Sequence, residues 1–338
     1  MALQGSGQIS YSNITDEFGS PGNGGLGAYR VSQNVGNLTN LGLDNSTANP
    51  PASTMPQSGQ ISFSDFYNGR LNIVVDHHSG GTVYRQNSRS RYNNNDVTVI
   101  GGFRSRPSNS SGKQVIIHVN KTIGSEKSGN DHCALRTGGW DSNTELSVDI
   151  GSSGRLRGAG GNGGNGSRES GQNGGTGSSG LGVEYSPCKV NIRSGGLISA
   201  GWGGGGGGGG AHDHDKGSER NAGGGGGGGG AGFPAGNGGS GTTGGGNGTD
   251  GSTDGAGEGG NNHNNGGEAI SGPGGEGGSN GEEANNGGDG EGGEGQEHEG
   301  GSGGGDGIAI RRTNSGFTVN ISNSGTIRPS SSLGTGVG

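Results

Sequence analysis

Of 338 residues, 93 are glycine, only 22% are hydrophobic and 4% aromatic, and the formal net charge is −8. That leaves too little Val, Ile, Leu and Phe for the standard cores a chain of this length would carry. The 9 prolines are too few for a collagen triple helix. No apolar stretch nears the ~20 residues of a membrane-spanning helix, so membrane insertion is not expected. Met1-Ala2-Leu3-Gln4-Gly5 lacks the basic and apolar regions of a secretory signal.

The first element is a duplicated module. Ser6-Gly7-Gln8-Ile9-Ser10-Tyr11-Ser12-Asn13-Ile14 matches Ser58-Gly59-Gln60-Ile61-Ser62-Phe63-Ser64-Asp65-Phe66. Each copy reads as a strand entering a capped turn or short helix, because Ser and Asp/Asn are helix N-cap types. Pro50-Pro51-Ala52-Ser53-Thr54-Met55-Pro56 reads as an extended connector. Residues 1–70 form one region on this reading.

Residues 71–157 read as a small β domain. Leu71–Val75, Asp96–Ile100 and Gln114–Val119 are rich in Val and Ile with turn-rich flanks, the pattern of strands. The basic run Arg85, Arg89, Arg91, Arg104 and Arg106 reads as solvated strand surface or a docking face. A second repeat follows: Val148-Asp149-Ile150 with Gly154 and Leu156, Val190-Asn191-Ile192 with Gly196 and Ile198, Val319-Asn320-Ile321 with Gly325 and Ile327. Val and Ile alternate with polar residues, as on a half-buried strand. These predict three hairpin-like elements forming a platform, with residues 311–338 bringing the last one back to it. Cys133 and Cys188 have no metal-ligand spacing and read as free thiols.

Between them, residues 158–310 hold most of the glycine, and from Gly203 to Asp306 the only large apolar side chains are Phe233 and Ile270. A flexible linker is one reading. The other is a bundle of polyglycine-II helices, left-handed with three residues per turn and a rise of ~3.1 Å. Such helices make no internal hydrogen bonds but can bond one another where no side chain separates them. Gly160-Gly161-Asn162-Gly163-Gly164-Asn165 and Gly274–Ser279 carry polar residues at the required spacing. The octaglycines 203–210 and 223–230 would lie at the centre. Gly203, Gly210, Gly223, Gly230, Trp202 and Phe233 are then scaffold, the two aromatics capping the bundle's ends. The expected fold class is mostly irregular and β.

The octaglycine pair with Ala231-Gly232-Phe233-Pro234-Ala235-Gly236-Asn237 resembles the tip adhesins of T-even-like bacteriophage long tail fibres, over about residues 150–310. The resemblance implies a polyglycine-II sandwich whose loops touch a host outer-membrane protein or saccharide. The front end departs from that family and resembles small myophage virion modules. Its implied partner is another tail, fibre or baseplate protein.

Loops on a rigid scaffold are favoured for recognition. The insert between the octaglycines offers His212, Asp213, His214, Asp215, Lys216, Glu219 and Arg220, which together donate and accept hydrogen bonds. Asn262, His263, Asn264, Glu282 and Glu283 are further candidates in later loops. His-x-His can ligate a metal, but nothing fixes its geometry, and no metal or cofactor is expected. Residues 250–306 carry 13 Asp or Glu and no Lys or Arg. Nucleic-acid binding, which needs cations for phosphate, is therefore not expected. GxGxxG matches lack a strand–turn–helix context, and no catalytic motif or apolar pocket stands out. The reading is a non-enzymatic adhesin. Its rivals are a structural spacer or plug in the tail and, less well supported, an ice-binding polyglycine protein.

Overall fold

The computed structural model describes residues 3–22, 25–29, 59–69, 72–77, 83–84, 86–87, 97–100, 110–126, 128–129, 132–213, 220–265, 269–280, 282–292 and 297–328. The proline connector at 50–56 and the five arginines of the basic run lie outside these residues.

The V-[DN]-I pattern builds a three-faced parallel coil. One sheet stacks β16 (Val319–Asn323), β11 (Cys188–Ile192), β8 (Glu145–Ile150), β5 (Gln114–Val119) and β1 (Asn72–His77), all parallel. The antiparallel β4 (Val97–Ile100) closes one edge. A second sheet stacks β17 (Thr326–Arg328), β12 (Leu197–Ser199), β9 (Arg155–Arg157), β6 (Thr122–Gly124) and β2 (Val83–Tyr84). The third stacks β15 (Ile310–Arg312), β10 (Ser179–Val183), β7 (Cys133–Arg136) and β3 (Gln86–Asn87). Strands 5, 6 and 7 thus make one circuit, and strands 8, 9 and 10 the next. The hairpin expectation is corrected here. Within each repeat the two strands do not pair with each other but lie in different sheets, and pairing runs in parallel between repeats. The glycine of each repeat sits at the corner, where a Cβ on Gly154 would come 2.3 Å from the Val119 carbonyl oxygen.

This geometry explains how few apolar residues suffice. Val115, Ile117, Val119, Leu146, Val148, Ile150, Cys188, Val190 and Ile192 fill the inside of the coil, because alternate strand residues face opposite sides. Cys133 and Cys188 are free and buried, and burial pushes the Cys188 thiol up to about 12. The polar residue of V-[DN]-I faces outward. There the Asp149 carboxylate lies 2.8 Å from His118 Nδ1 and accepts from Arg193 Nε at 3.0 Å. Burial alone would raise this carboxyl; the hydrogen bonds from His118 and Arg193 and the arginine charge outweigh that and hold it below its ordinary 3.8. A depressed folded pKa stabilises above the unfolded value and is lost as pH falls through the folded one. Asp149→Asn should therefore cost about 1–3 kcal/mol at neutral pH. The gap between variant and wild type should close below about pH 4, measured by denaturant titration across pH. A pH-independent gap would contradict the assignment.

The N-terminal modules pack on the outside of the first sheet. Ser10 caps α1 (Tyr11–Phe18), accepting from the Asn13 N–H while Asn13 Oδ1 accepts from the Ser10 N–H. The second copy repeats the arrangement, Ser62 N–H donating to Asp65 Oδ2 at 2.7 Å above a 3-10 turn at Phe63–Phe66. Capped helical turns are present as expected, but no strand precedes them among the described residues. Ile14, Phe18, Tyr29 and Phe66 form one cluster with Val74 and Ile116, the outward residues of β1 and β5. Lys113 Nζ reaches both Glu17 carboxylate oxygens at 3.0 Å, tying α1 to the strand entry.

The glycine segments leave the coil between the second and third faces, after β9 and after β12. They hold one another through backbone hydrogen bonds with a cycle of three. Gly204, Gly207 and Gly210 donate to Gly175, Gln172 and Glu169; Gly205 and Gly208 donate to Gly228 and Gly225; Gly206 and Gly209 donate to Asn285 and Gly288. The carbonyls of the same run accept from three other segments, at Gly164 and Ser167, at Gly272, Gly275 and Gly278, and at Gly301 and Gly304. These bonds span 2.7–3.2 Å. The run is surrounded on all sides, and every residue from 201 to 211 is buried. Here peptide groups, not side chains, supply the cohesion.

Candidate recognition surface

Both octaglycines run from the coil to a common far end. Trp202, 2% exposed, follows β12 directly, and eight residues on, Gly210 meets Glu169. Beyond it β13 (Ala211–Asp213) pairs antiparallel with β14 (Arg220–Ala222), Ala211 opposite Ala222 and His212 opposite Asn221. This pairing sends the chain back into the second octaglycine. Ala211, Ala222 and Ala269 form a small buried cluster beneath it.

Four other connections gather around this pair. Ala211 bridges to Glu297, and the His212 and His298 rings meet edge to face with centroids 5.6 Å apart. His212 Nδ1 also lies 2.5 Å from Asn221 Oδ1. Asn265 Nδ2 donates to the Asn221 carbonyl at 3.2 Å, and Ile270 bridges to both Asn264 and Glu291. The His263 ring lies against Gly244, where a Cβ would come 2.5 Å from it. Arg168 Nε donates to Thr243 Oγ1 at 2.7 Å. Residues 167–170, 211–213, 220–222, 242–244, 262–265, 269–270, 290–292 and 297–298 thus converge. Asn262, Asn264, Arg168, Glu291 and Glu297 are exposed, and His212, His263 and His298 are half-buried.

Of the sequence candidates, His212, Asn262, His263 and Asn264 are brought together. Asp213 and Arg220 face each other in the β13–β14 register. His214, Asp215, Lys216 and Glu219 lie outside the described residues. Glu282 and Glu283 belong to the opposite end. They follow Gly278, which donates to the Gly203 carbonyl, and the Glu283 charge acts on Asp306 beside Gly203. Burial raises the Asp306 carboxyl, its hydrogen bond from Gly203 N–H opposes that, and Glu283 adds to the rise. Trp202 and Phe233 share this coil-side end, where the Phe233 carbonyl accepts from Ser125 N–H. Nearby, Arg157 pairs with Asp254 at 2.9 Å. A Cβ on Gly203, Gly210, Gly223 or Gly230 would come within 1.8–2.2 Å of a neighbouring backbone oxygen.

The sequence reading missed the part His298 plays against His212, and it missed a recurrent clamp along the sides of the array. Asn162, Asn165, Asn173, Asn247, Asp250, Asn286, Asp289 and Asp306 each direct Oδ1 to a neighbouring segment's backbone N–H at 2.8–3.0 Å. The signal was present in the spacing 162/165, 247/250 and 286/289. Among the described residues, no three His, Cys, Asp or Glu side chains gather as a metal site, and no helix is long and apolar enough to cross a membrane.

A family model described as phage tail fibre adhesin Gp38 matches residues 81–337, and the chain belongs to that family. Comparison with curated proteins and with solved structures found no match. Family membership places the chain in the tail fibre of the virion, as an adhesin.

Proposed function

We propose that the chain is the receptor-binding tip of the fibre, contacting a host outer-membrane protein or saccharide without covalent chemistry. The observation that carries this reading is the convergence of five connections bearing polar side chains at the end of the array remote from the coil. The glycine segments are polyglycine-II helices on this reading, as their three-residue hydrogen-bond cycle supports. They pre-organise the loops, so that little ordering entropy is lost on contact. In the test, the purified chain competes with whole phage for host cells. It should block adsorption in a saturable way. Absence of both cell binding and competition would support the spacer reading instead.

Residues 1–70 are the attachment region of this proposal, joining the coil to another tail, fibre or baseplate protein. The family match begins at residue 81, leaving the duplicated modules outside it. Tyr11 and Phe63, at equivalent positions in the two copies, are 37% and 42% exposed. Aromatic anchors at interface centres commonly contribute about 2 kcal/mol or more each. Tyr11→Ser with Phe63→Ser should lower the melting temperature by only a few degrees and cut incorporation into particles more than about ten-fold, read by immunoblot of purified virions. Normal incorporation would remove these side chains from the attachment surface.

A further inference from the structure

Asn-Gly is the step at which chains most readily lose ammonia, and asparagine is a recognised weak point of proteins held for long periods. In that reaction the glycine nitrogen gives its proton to base and attacks the asparagine Cγ. The new C–N bond forms, the Cγ–Nδ2 bond breaks, and ammonia leaves. Water then opens the cyclic imide to aspartate or isoaspartate. The nitrogen must be free of other hydrogen-bond duties, and Cγ must turn towards it.

Asn162, Asn165, Asn173, Asn247 and Asn286 are each followed by glycine. In all of them both reacting groups are held by the same neighbouring segment. Asn162 Oδ1 accepts from Asn237 N–H at 3.0 Å, while Gly163 N–H donates to the Asn237 carbonyl at 2.8 Å. Asn165 and Gly166 grip Ser240 in the same way, at 2.9 and 2.9 Å, and Asn173 and Gly174 grip Ser302, at 2.9 and 2.8 Å. Against antiparallel neighbours the grip spans two residues further. Asn247 Oδ1 takes Gly241 N–H while Gly248 N–H gives to Gly239; Asn286 takes Gly303 while Gly287 gives to Gly301. Asp250, Asp289 and Asp306 occupy the same position with the same Oδ1 acceptor, so the clamp does not use the amide nitrogen.

We propose that these paired clamps make these five, of the ten Asn-Gly steps in the sequence, latent modification sites, closed to imide formation while the array is packed and open once it parts. The side chain that satisfies an edge N–H and the glycine N–H beside it are withdrawn from the reaction together. This holds whether the fibre tip binds protein or sugar, and does not rest on the receptor reading. Conversion to ordinary aspartate would keep the clamp, as the three native aspartates do. Conversion to isoaspartate inserts an extra backbone carbon and would break the three-residue cycle.

The test is peptide mapping by mass spectrometry, with isoaspartate detection, after prolonged incubation of the full chain at mildly alkaline pH, folded or in urea. Circular dichroism confirms the fold throughout. Conversion at residues 162, 165, 173, 247 and 286 should be at least about a hundred-fold slower in the folded chain, reflecting a small open fraction. Equal rates in the two states would overturn the proposal. Ser302→Pro, which removes one N–H donor, should speed conversion several-fold at Asn173 but not at Asn162 or Asn247. No acceleration at Asn173 would remove the side-chain half of the clamp.

Discussion

Gly207→Ala is expected to unfold the glycine array, and Gly305→Ala to stabilise it slightly, although both add the same methyl group to the same kind of sequence. Gly207 donates to the Gln172 carbonyl at 2.8 Å and accepts from Gly301 N–H at 2.7 Å. A Cβ there would come 2.1 Å from the Asn165 carbonyl oxygen and 2.4 Å from its carbon. Backbone cannot swing aside as a flexible side chain can, so the segments must part along several registers. Overpacking of a tight interior costs about 1–3 kcal/mol, and each backbone bond stretched out of range adds about 1 kcal/mol. A loss of about 3–5 kcal/mol follows. At Gly305 the nearest atom to an added Cβ is Thr176 Cγ2, at 3.8 Å. Alanine there should gain about 0.4–1 kcal/mol by restricting the unfolded chain. Calorimetric melting of the two variants decides between a backbone-packed core and a loose glycine chain. Equal, small effects would exclude the former.

That contrast also shows what the sequence can and cannot express. The V-[DN]-I repeats announce strands because Val and Ile must alternate with outward polar residues. They do not say whether the chain turns back on its own strand or around a corner into another sheet. The local period is the same in either case, and the parallel pairing of β8, β11 and β16 depends on residues about forty to a hundred and thirty positions apart. The ends of the array are harder still. Glu282 and His263 both sit in polar, glycine-flanked loops, and nothing local says which end either occupies. Only counting successive runs separates them, since each run reverses the direction. The turns near residues 233, 254 and 280 return to the coil, whereas those near 168, 243 and 265 point away from it. The acidic stretch spoke in the sequence only against nucleic-acid binding, yet Asp250, Asp289 and Asp306 bind edge N–H groups. A side chain's charge is plain in a sequence, but the unpaired peptide group that it meets is not.

The sharpest functional prediction follows from the same alternation. Exchanging residues 213–220 for those of an unrelated short hairpin, with Ala211, His212, Asn221 and Ala222 kept, should leave the array intact. The buried alanines, the His212–Asn221 contact and the β13–β14 entry all remain. Adsorption should nevertheless fall by more than about thirty-fold, or shift to a different host, since recognition loops concentrate their binding energy in a few anchors of about 2 kcal/mol or more. Glu282→Gln with Glu283→Gln serves as the opposing arm. It removes two exposed acids from the coil-side end and should leave adsorption unchanged, even though these residues look as suitable for recognition as His263 by sequence. Loss of the Glu283 charge also relieves the upward push on Asp306, so the melting temperature should hold or rise. Adsorption assays on phage carrying each variant, with thermal melts of the purified chains, separate the outcomes. If the hairpin exchange adsorbs normally and the glutamate pair does not, the recognition surface is at the wrong end. If both variants adsorb normally while the tip loops at 262–270 are also exchangeable, the array is a spacer and the receptor is read elsewhere in the fibre.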